Sequence, residues 1–188
     1  MDDLVWRLAV PHINDIAHTQ RSAVRTRPRI HLHDSKERVN MEPDDLYTLR
    51  NQFWLGNYQQ AINEANSLMR LQGALLEEKR EYTYRCYLAL GQYDVVDGEI
   101  AGGDVTPVNL KAIKCLSSYL QGNKEGSLAQ VNAWASETNP TVEVVSSLIH
   151  MHEGNTKEAM KSIARGQTME QKSMMVSLLL RMDRLDLA

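Results

Sequence analysis

The chain has 188 residues and carries 21 Lys/Arg against 24 Asp/Glu, a formal net charge of −3. That balance excludes the broad basic footprint of a nucleic-acid-binding protein, and 43% apolar residues with 10 Gly and 5 Pro exclude collagen-like or disordered composition. The longest strongly apolar stretch, residues 174–180, is interrupted by Ser177 and is far too short to span a bilayer.

Cys86 and Cys115 stand 29 positions apart with no CxxC pair, so neither a zinc framework nor a disulfide lattice is indicated, and no cofactor is expected. Asp2 and Asp3 open the chain and Arg7 breaks its brief apolar run, a poor secretory signal and a poor presequence, which makes cytosolic residence the expectation. Residues 1–40 differ in kind from the rest. They hold 7 of the basic groups, 5 of the acidic groups and 4 of the 6 histidines, leaving residues 41–188 with 14 basic and 19 acidic groups, a net of −5. The basic run from Arg21 to Arg29, with Pro28 inside it, reads as a solvated tail. The His31-Leu-His33-Asp34 segment lacks the further ligands a metal site needs. Met41-Glu-Pro-Asp-Asp reads as a fresh start, with acids and a proline opening a helix. Residues 1–40 are expected to form a disordered or atypical N-terminal extension, and residues 41–188 the folded unit.

From Asp44 onward the dominant signal is internal repetition. Five turn segments align, centred on Gly56, Gly91, Gly122, Gly154 and Asp183, with separations of 35, 31, 32 and 29 residues. Each follows a helical run of about three turns and opens another, giving one helix–turn–helix unit per period. Glycine takes the positive φ that stops the first helix. Tyr58 or Tyr93, two places on, wedges between the paired helices, and a small residue three further on (Ala61, Ser127, Ala159, Ala188) lets them approach. The pattern weakens where Lys124 replaces the aromatic and where Asp183 replaces Gly. Inside the helices, Leu46, Leu49, Phe53 and Trp54 form one apolar stripe, and Val144, Val145, Leu148, Ile149 and His152 form another. Gly73, Gly102-Gly103 with Pro107, Asn139-Pro140 and Gly166 mark the linkers. This is a degenerate tetratricopeptide pattern: an all-α, tetratricopeptide-like α-α superhelix of about four helical hairpins plus an incomplete fifth.

The run Asp45-Leu-Tyr-Thr-Leu-Arg-Asn-Gln-Phe53-Trp-Leu-Gly-Asn-Tyr-Gln-Gln-Ala-Ile-Asn-Glu-Ala65 resembles the N-terminal helix pair of the coatomer epsilon subunit family. The stretches beginning at Arg85, His152 and Met182 resemble later parts of that family, in the same order. The resemblance covers residues 44–188. It implies a solenoid subunit of the COPI vesicle coat that binds the C-terminal domain of the coat's alpha subunit. It further implies a role in Golgi-to-endoplasmic-reticulum and intra-Golgi traffic, peripheral to the membrane and without direct insertion. Two features depart from the family. Residues 1–40 match nothing in it, and the chain stops at Ala188 where members continue for further hairpins, so a fragment or truncated variant is expected. Leu178, Leu179, Leu180, Leu185 and Leu187 would then face no following repeat.

Tetratricopeptide arrays bind peptides along the face lined by the first helix of each pair. In register with the turns, that face carries Leu46, Arg50 and Phe53, then Arg85 and Leu88, then Leu116 and Tyr119, then Leu148 and Met151. Two readings compete: an apolar groove in which two arginines orient a partner segment, or core contacts between adjacent hairpins. The nine methionines read as adaptable core filler and the cysteines as buried, inert thiols. His150 and His152 sit where a positive charge favours a helix's negative pole. No GxGxxG after a strand, Walker loop or HExxH occurs, so no catalytic activity is expected. The alternative function is a tetratricopeptide peptide-binding adaptor or co-chaperone gripping an acidic C-terminus. Its Lys/Asn clamp is not present: the clamp positions hold Leu46 and Arg50 in the first unit, Asn109 and Ile113 in the third.

Overall fold

The computed structural model describes residues 44–100, 106–184, 186 and 187. The Arg21–Arg29 run, the His31/His33 pair, the start at Met41, the Gly102-Gly103 linker, Leu185 and Ala188 lie outside the described residues. Among the described residues all regular structure is helical. The helices are α1 (Tyr47–Trp54), α2 (Tyr58–Ser67), α3 (Gly73–Ala89), α4 (Tyr93–Glu99), α5 (Val108–Leu120), α6 (Lys124–Ala133), α7 (Pro140–His152), α8 (Thr156–Ile163) and α9 (Met169–Arg181). No helix among them is long and apolar enough to cross a membrane.

Consecutive helices pair as hairpins, α1/α2, α3/α4, α5/α6 and α7/α8, and α9 opens a fifth unit. The first helices α1, α3, α5, α7 and α9 lie side by side, and each second helix also packs on the next first helix. This is the layered arrangement of a tetratricopeptide-like superhelix.

The turns explain the period. Gly56, Gly91, Gly122 and Gly154 all have positive φ, between 74° and 107°, and Asp183 adopts the same conformation at 57°. Every turn closes with the same two hydrogen bonds. Gly56 N–H donates to the Phe53 carbonyl at 3.0 Å and Asn57 N–H to the Gln52 carbonyl at 2.9 Å. The pair is repeated by Gly91/Gln92, Gly122/Asn123, Gly154/Asn155 and Asp183/Arg184. Five Schellman motifs therefore terminate five first helices. Asp at the fifth is tolerated because short polar residues enter the left-handed region more readily than other non-glycines.

Helix starts are equally local. Asn139 Oδ1 accepts from the Thr141 and Val142 N–H groups at 3.0 and 3.4 Å, with Pro140 at the first helical position of α7. A complete capping box, Thr168 with Gln171, opens α9. Gly166 is required there: a Cβ on it would stand 2.5 Å from Gln171 Cβ.

The small residues do close the hairpins. Ala61, Ser127 and Ala159 are buried, with Val96 in the second repeat. Opposite Ser127, Cys115 fits because the two residues exchange contacts: Ser127 Oγ donates to the Cys115 carbonyl at 3.2 Å and Cys115 Sγ to the Ser127 carbonyl at 3.6 Å.

The apolar interior falls into two clusters. The first contains Leu46, Leu49, Phe53, Ala61, Ile62, Ala65 and Cys86; the second runs from Tyr84 through α5 and α7 to Leu178. Phe53, the single phenylalanine, centres the first, with edge-to-face contacts to Trp54, Tyr58 and Tyr82 at 5.0–5.9 Å. Helix α7 centres the second and is buried from Val144 to Met151 on all sides. The stripe expected on one face of α7 is thus a full cylinder, and His152, expected within it, is exposed while His150 is buried. Leu178 and Leu179 are buried, Leu178 within the second cluster, whereas Leu180 and Leu187 are exposed.

Candidate functional site

The nine residues expected to line a groove occupy the first helices, or in the case of Leu46 the residue capping α1. Eight are buried: Leu46, Phe53, Arg85, Leu88, Leu116, Tyr119, Leu148 and Met151. Leu46 and Phe53 belong to the first cluster; Leu88, Leu116, Tyr119, Leu148 and Met151 belong to the second. Where Arg85, Leu88 and Leu116 meet Ile113, Val144 and Val145, the space between them is too small to admit a water molecule. These side chains hold neighbouring first helices together and form a closed seam. The physical reason is that a helix flanked by first helices on both sides buries a wide apolar face whether or not a peptide joins it. Arg50 differs: its side chain is 30% exposed.

Polar side chains cross the first-helix layer in a ladder. Arg50 on α1 grips Glu78 on α3 with two parallel bonds, Nε to Oε1 at 2.7 Å and Nη2 to Oε2 at 2.8 Å. Its Nη1 donates to Asp44 at 2.5 Å. The hydrogen bond to Glu78 raises the Arg50 pKa, against burial, which lowers it. One turn further along α3, Glu81 accepts from Asn109 Nδ2 of α5 at 2.9 Å and from Thr141 Oγ1 of α7 at 2.6 Å. The Gln171 amide of α9 donates to Glu143 of α7. Arg50 and Glu78, Glu81 and Asn109, and Glu143 and Gln171 are each 28 residues apart, one offset repeated along the layer.

Arg85 joins the ladder across a longer distance. Its guanidinium, 5% exposed as a residue, pairs with Glu170 at the start of α9, one bond being Nη1 to Oε2 at 3.2 Å. It lies 3.6 Å from Glu81 and 4.9 Å over the Phe53 ring. Burial pulls its pKa down, but the Glu170 charge and hydrogen bond, with Glu81, leave it raised. A buried arginine thus bridges the second and fifth units and touches both apolar clusters.

Tyr119 anchors a smaller group at the turn end. Its hydroxyl donates to Glu153 Oε1 at 2.6 Å, and Lys124 Nζ reaches the same oxygen at 3.2 Å. Lys124 also sits 5.9 Å from the Tyr119 ring centre. Tyr119 and Lys124 belong to the third repeat, where the turn lacks its aromatic, and Glu153 to the turn of the fourth, so the group joins the two. Burial and the bond to Glu153 raise the Tyr119 pKa, and the bonds from Tyr119 and Lys124 lower that of Glu153.

Burial sets the two cysteines and the two histidines. It pushes the Cys86 thiol up to about 12 and Cys115 up to about 11, so both are protonated and unreactive. It lowers His150 and His152 below the ordinary histidine value, so these residues do not supply the positive charge expected at the helix end.

Sequence reasoning missed Glu78, Glu81, Thr141 and Glu170. The 28-residue offset was the available signal for Glu78 and Glu81, whereas nothing local links position 81 to position 141 or position 85 to position 170.

Residues 42–188 match the model of the family described as Coatomer epsilon subunit. The chain is 35% identical to coatomer subunit epsilon-1 of Oryza sativa subsp. japonica over 150 residues, covering 78% of this chain and 51% of that protein. It is likewise 35% identical to coatomer subunit epsilon-1 of Arabidopsis thaliana over 152 residues, and 34% identical to coatomer subunit epsilon of Dictyostelium discoideum over 159 residues, with 78% and 79% of this chain covered. The chain spans about half the length of these curated relatives, 51% and 53% for the last two. With its repeat register, its first hairpin and its family match all in agreement, the chain belongs to the coatomer epsilon subunit family.

Proposed function

We propose that this chain is a non-catalytic subunit of the COPI vesicle coat that binds the C-terminal domain of the coat's alpha subunit. It supports Golgi-to-endoplasmic-reticulum and intra-Golgi transport from the cytoplasmic side, peripheral to the membrane through the coat. The observation that carries this reading is the family match over residues 42–188. The relatives named as coatomer subunits supply the coat; the partner and the transport steps are part of the proposal.

Within this reading, Arg50 is the first-helix residue best placed to meet a partner, because its side chain is partly open to solvent while the other eight residues are buried. Leu46, Phe53, Arg85, Leu88, Leu116, Tyr119, Leu148 and Met151 shape the layer beneath it. The co-chaperone alternative gains nothing from Asn109, whose amide is engaged by Glu81. The test is whether the immobilised chain retains the C-terminal domain of the alpha subunit, with Arg50→Ala expected to weaken retention and Lys111→Ala to leave it unchanged.

A further inference from the structure

The second-helix side of the solenoid carries a feature that the coat reading does not use. Between α6, α7 and α8 lies a cleft of about 190 Å³. Its walls include Val131, Val142 and the half-buried Trp134; Glu143, Glu158 and Lys161 stand among its polar lining. His150, 6% exposed, also lines it, and His150 Nδ1 is sealed from water with no hydrogen-bond partner. An unpaired buried ring nitrogen is unfavourable and asks for a polar partner.

Size, shape and charge narrow the occupant. The volume is below the roughly 300–1,000 Å³ of sites that hold a small-molecule ligand, and suits one side chain. Glu137, Glu143 and Glu158 outnumber Lys161 in the lining, so the occupant is a cation. The apolar wall and the indole favour a planar, weakly hydrated guanidinium over an ammonium. Lys161 already shows the preference from within: its Nζ lies 2.6 Å from Glu158 Oε1, on a side chain 71% exposed. A pair that exposed contributes little and gives way readily to a better cation.

We infer that the cleft between α6, α7 and α8 is an anchor pocket for an arginine side chain presented by a partner protein segment, with Glu158 and Glu143 as acceptors and Trp134 as the stacking wall. The inference does not depend on the alpha-subunit reading, since none of the residues lining the cleft is among the nine placed on the first-helix face.

The test is an NMR titration of the full chain with acetyl-Gly-Arg-Gly-amide, beside the same peptide carrying citrulline, the neutral isostere of arginine. The arginine peptide is expected to shift the Trp134 indole N–H and the Glu158 and Lys161 amides saturably, and the citrulline peptide to leave them unmoved. Glu158→Gln is expected to weaken binding about tenfold, the size of one charge-assisted hydrogen bond. Lys161→Met, which removes the internal competitor, is expected to tighten it about threefold, as befits an exposed pair. Both substitutions are at exposed positions, and retained amide dispersion shows that the fold persists. Equal shifts with citrulline, no saturable shift at these three residues, or unchanged affinity in Glu158→Gln would overturn the inference.

Discussion

Arg85 on α3 and Glu170 on α9 meet across 85 positions of sequence, the longest-range polar contact in the first-helix layer among the described residues. In a solenoid each unit touches mainly its neighbours, so stability is a sum of local terms. The Arg85–Glu170 pair adds a tie between the second and fifth units, inside the body where screening is weak.

That tie predicts unequal arginines. Arg85→Met leaves Glu81 and Glu170 without their shared cation, and is expected to cost about 3 kcal/mol, as for breaking a buried pair. Arg50→Met breaks a partly solvated pair and is expected to cost about 1 kcal/mol. Urea midpoints of the two variants check the order, and equal midpoints would show that Arg85 is no tie.

The two-cluster interior predicts local failure at Phe53. Phe53→Ala removes the ring at the centre of the first cluster, at a cost of about 3–5 kcal/mol. Hydrogen exchange should show α1 and α2 losing protection while α5 and α7 keep theirs, because the second cluster is built without Phe53. Uniform loss across all helices would mean that the clusters act as one.

The turn geometry predicts opposite signs at equivalent positions. Gly91→Ala forces a Cβ into the left-handed region and is expected to cost about 1–2 kcal/mol. Asp183→Gly removes that strain at the fifth turn and is expected to stabilise the end of α9, by about 0.5 kcal/mol. Thermal melts measure the first, and amide exchange at Leu180 and Arg181 the second.

Histidine burial predicts a pH dependence. Burial lowers the folded pKa of His150, and partial shielding of the more exposed His152 ring, with the Arg181 and Lys124 charges, lowers that of His152. The unfolded chain therefore binds more protons between those lowered values and 6.5, so stability is full above 6.5 and falls as pH drops through that window. His150→Phe should flatten part of the slope in urea titrations at successive pH values, and ring NMR titration should place the His150 midpoint below 6.5.

The repeat was legible because its cause is local. A left-handed residue must stop each first helix, so Gly56, Gly91, Gly122 and Gly154 stand in register, and Asp183 aligns with them despite its side chain. The capping box at Thr168 and Gln171 is equally local, yet it does not stand out among the polar residues before α9. The groove was less legible. An apolar stripe looks the same in sequence whether it faces an empty channel or the next helix, so Leu88, Leu116 and Leu148 gave no sign of being sealed. Arg85 reads as a partner-facing group because the carboxylate that permits its burial lies on a helix three units away.

The measurement closest to the central claim places the full 188-residue chain and a full-length curated relative on parallel supports and records how each retains the C-terminal domain of the coatomer alpha subunit. Retention by both is the predicted result, weakened in this chain by Arg50→Ala. Retention by the relative with none by this chain would contradict the proposal that it serves as a coat subunit through that partner.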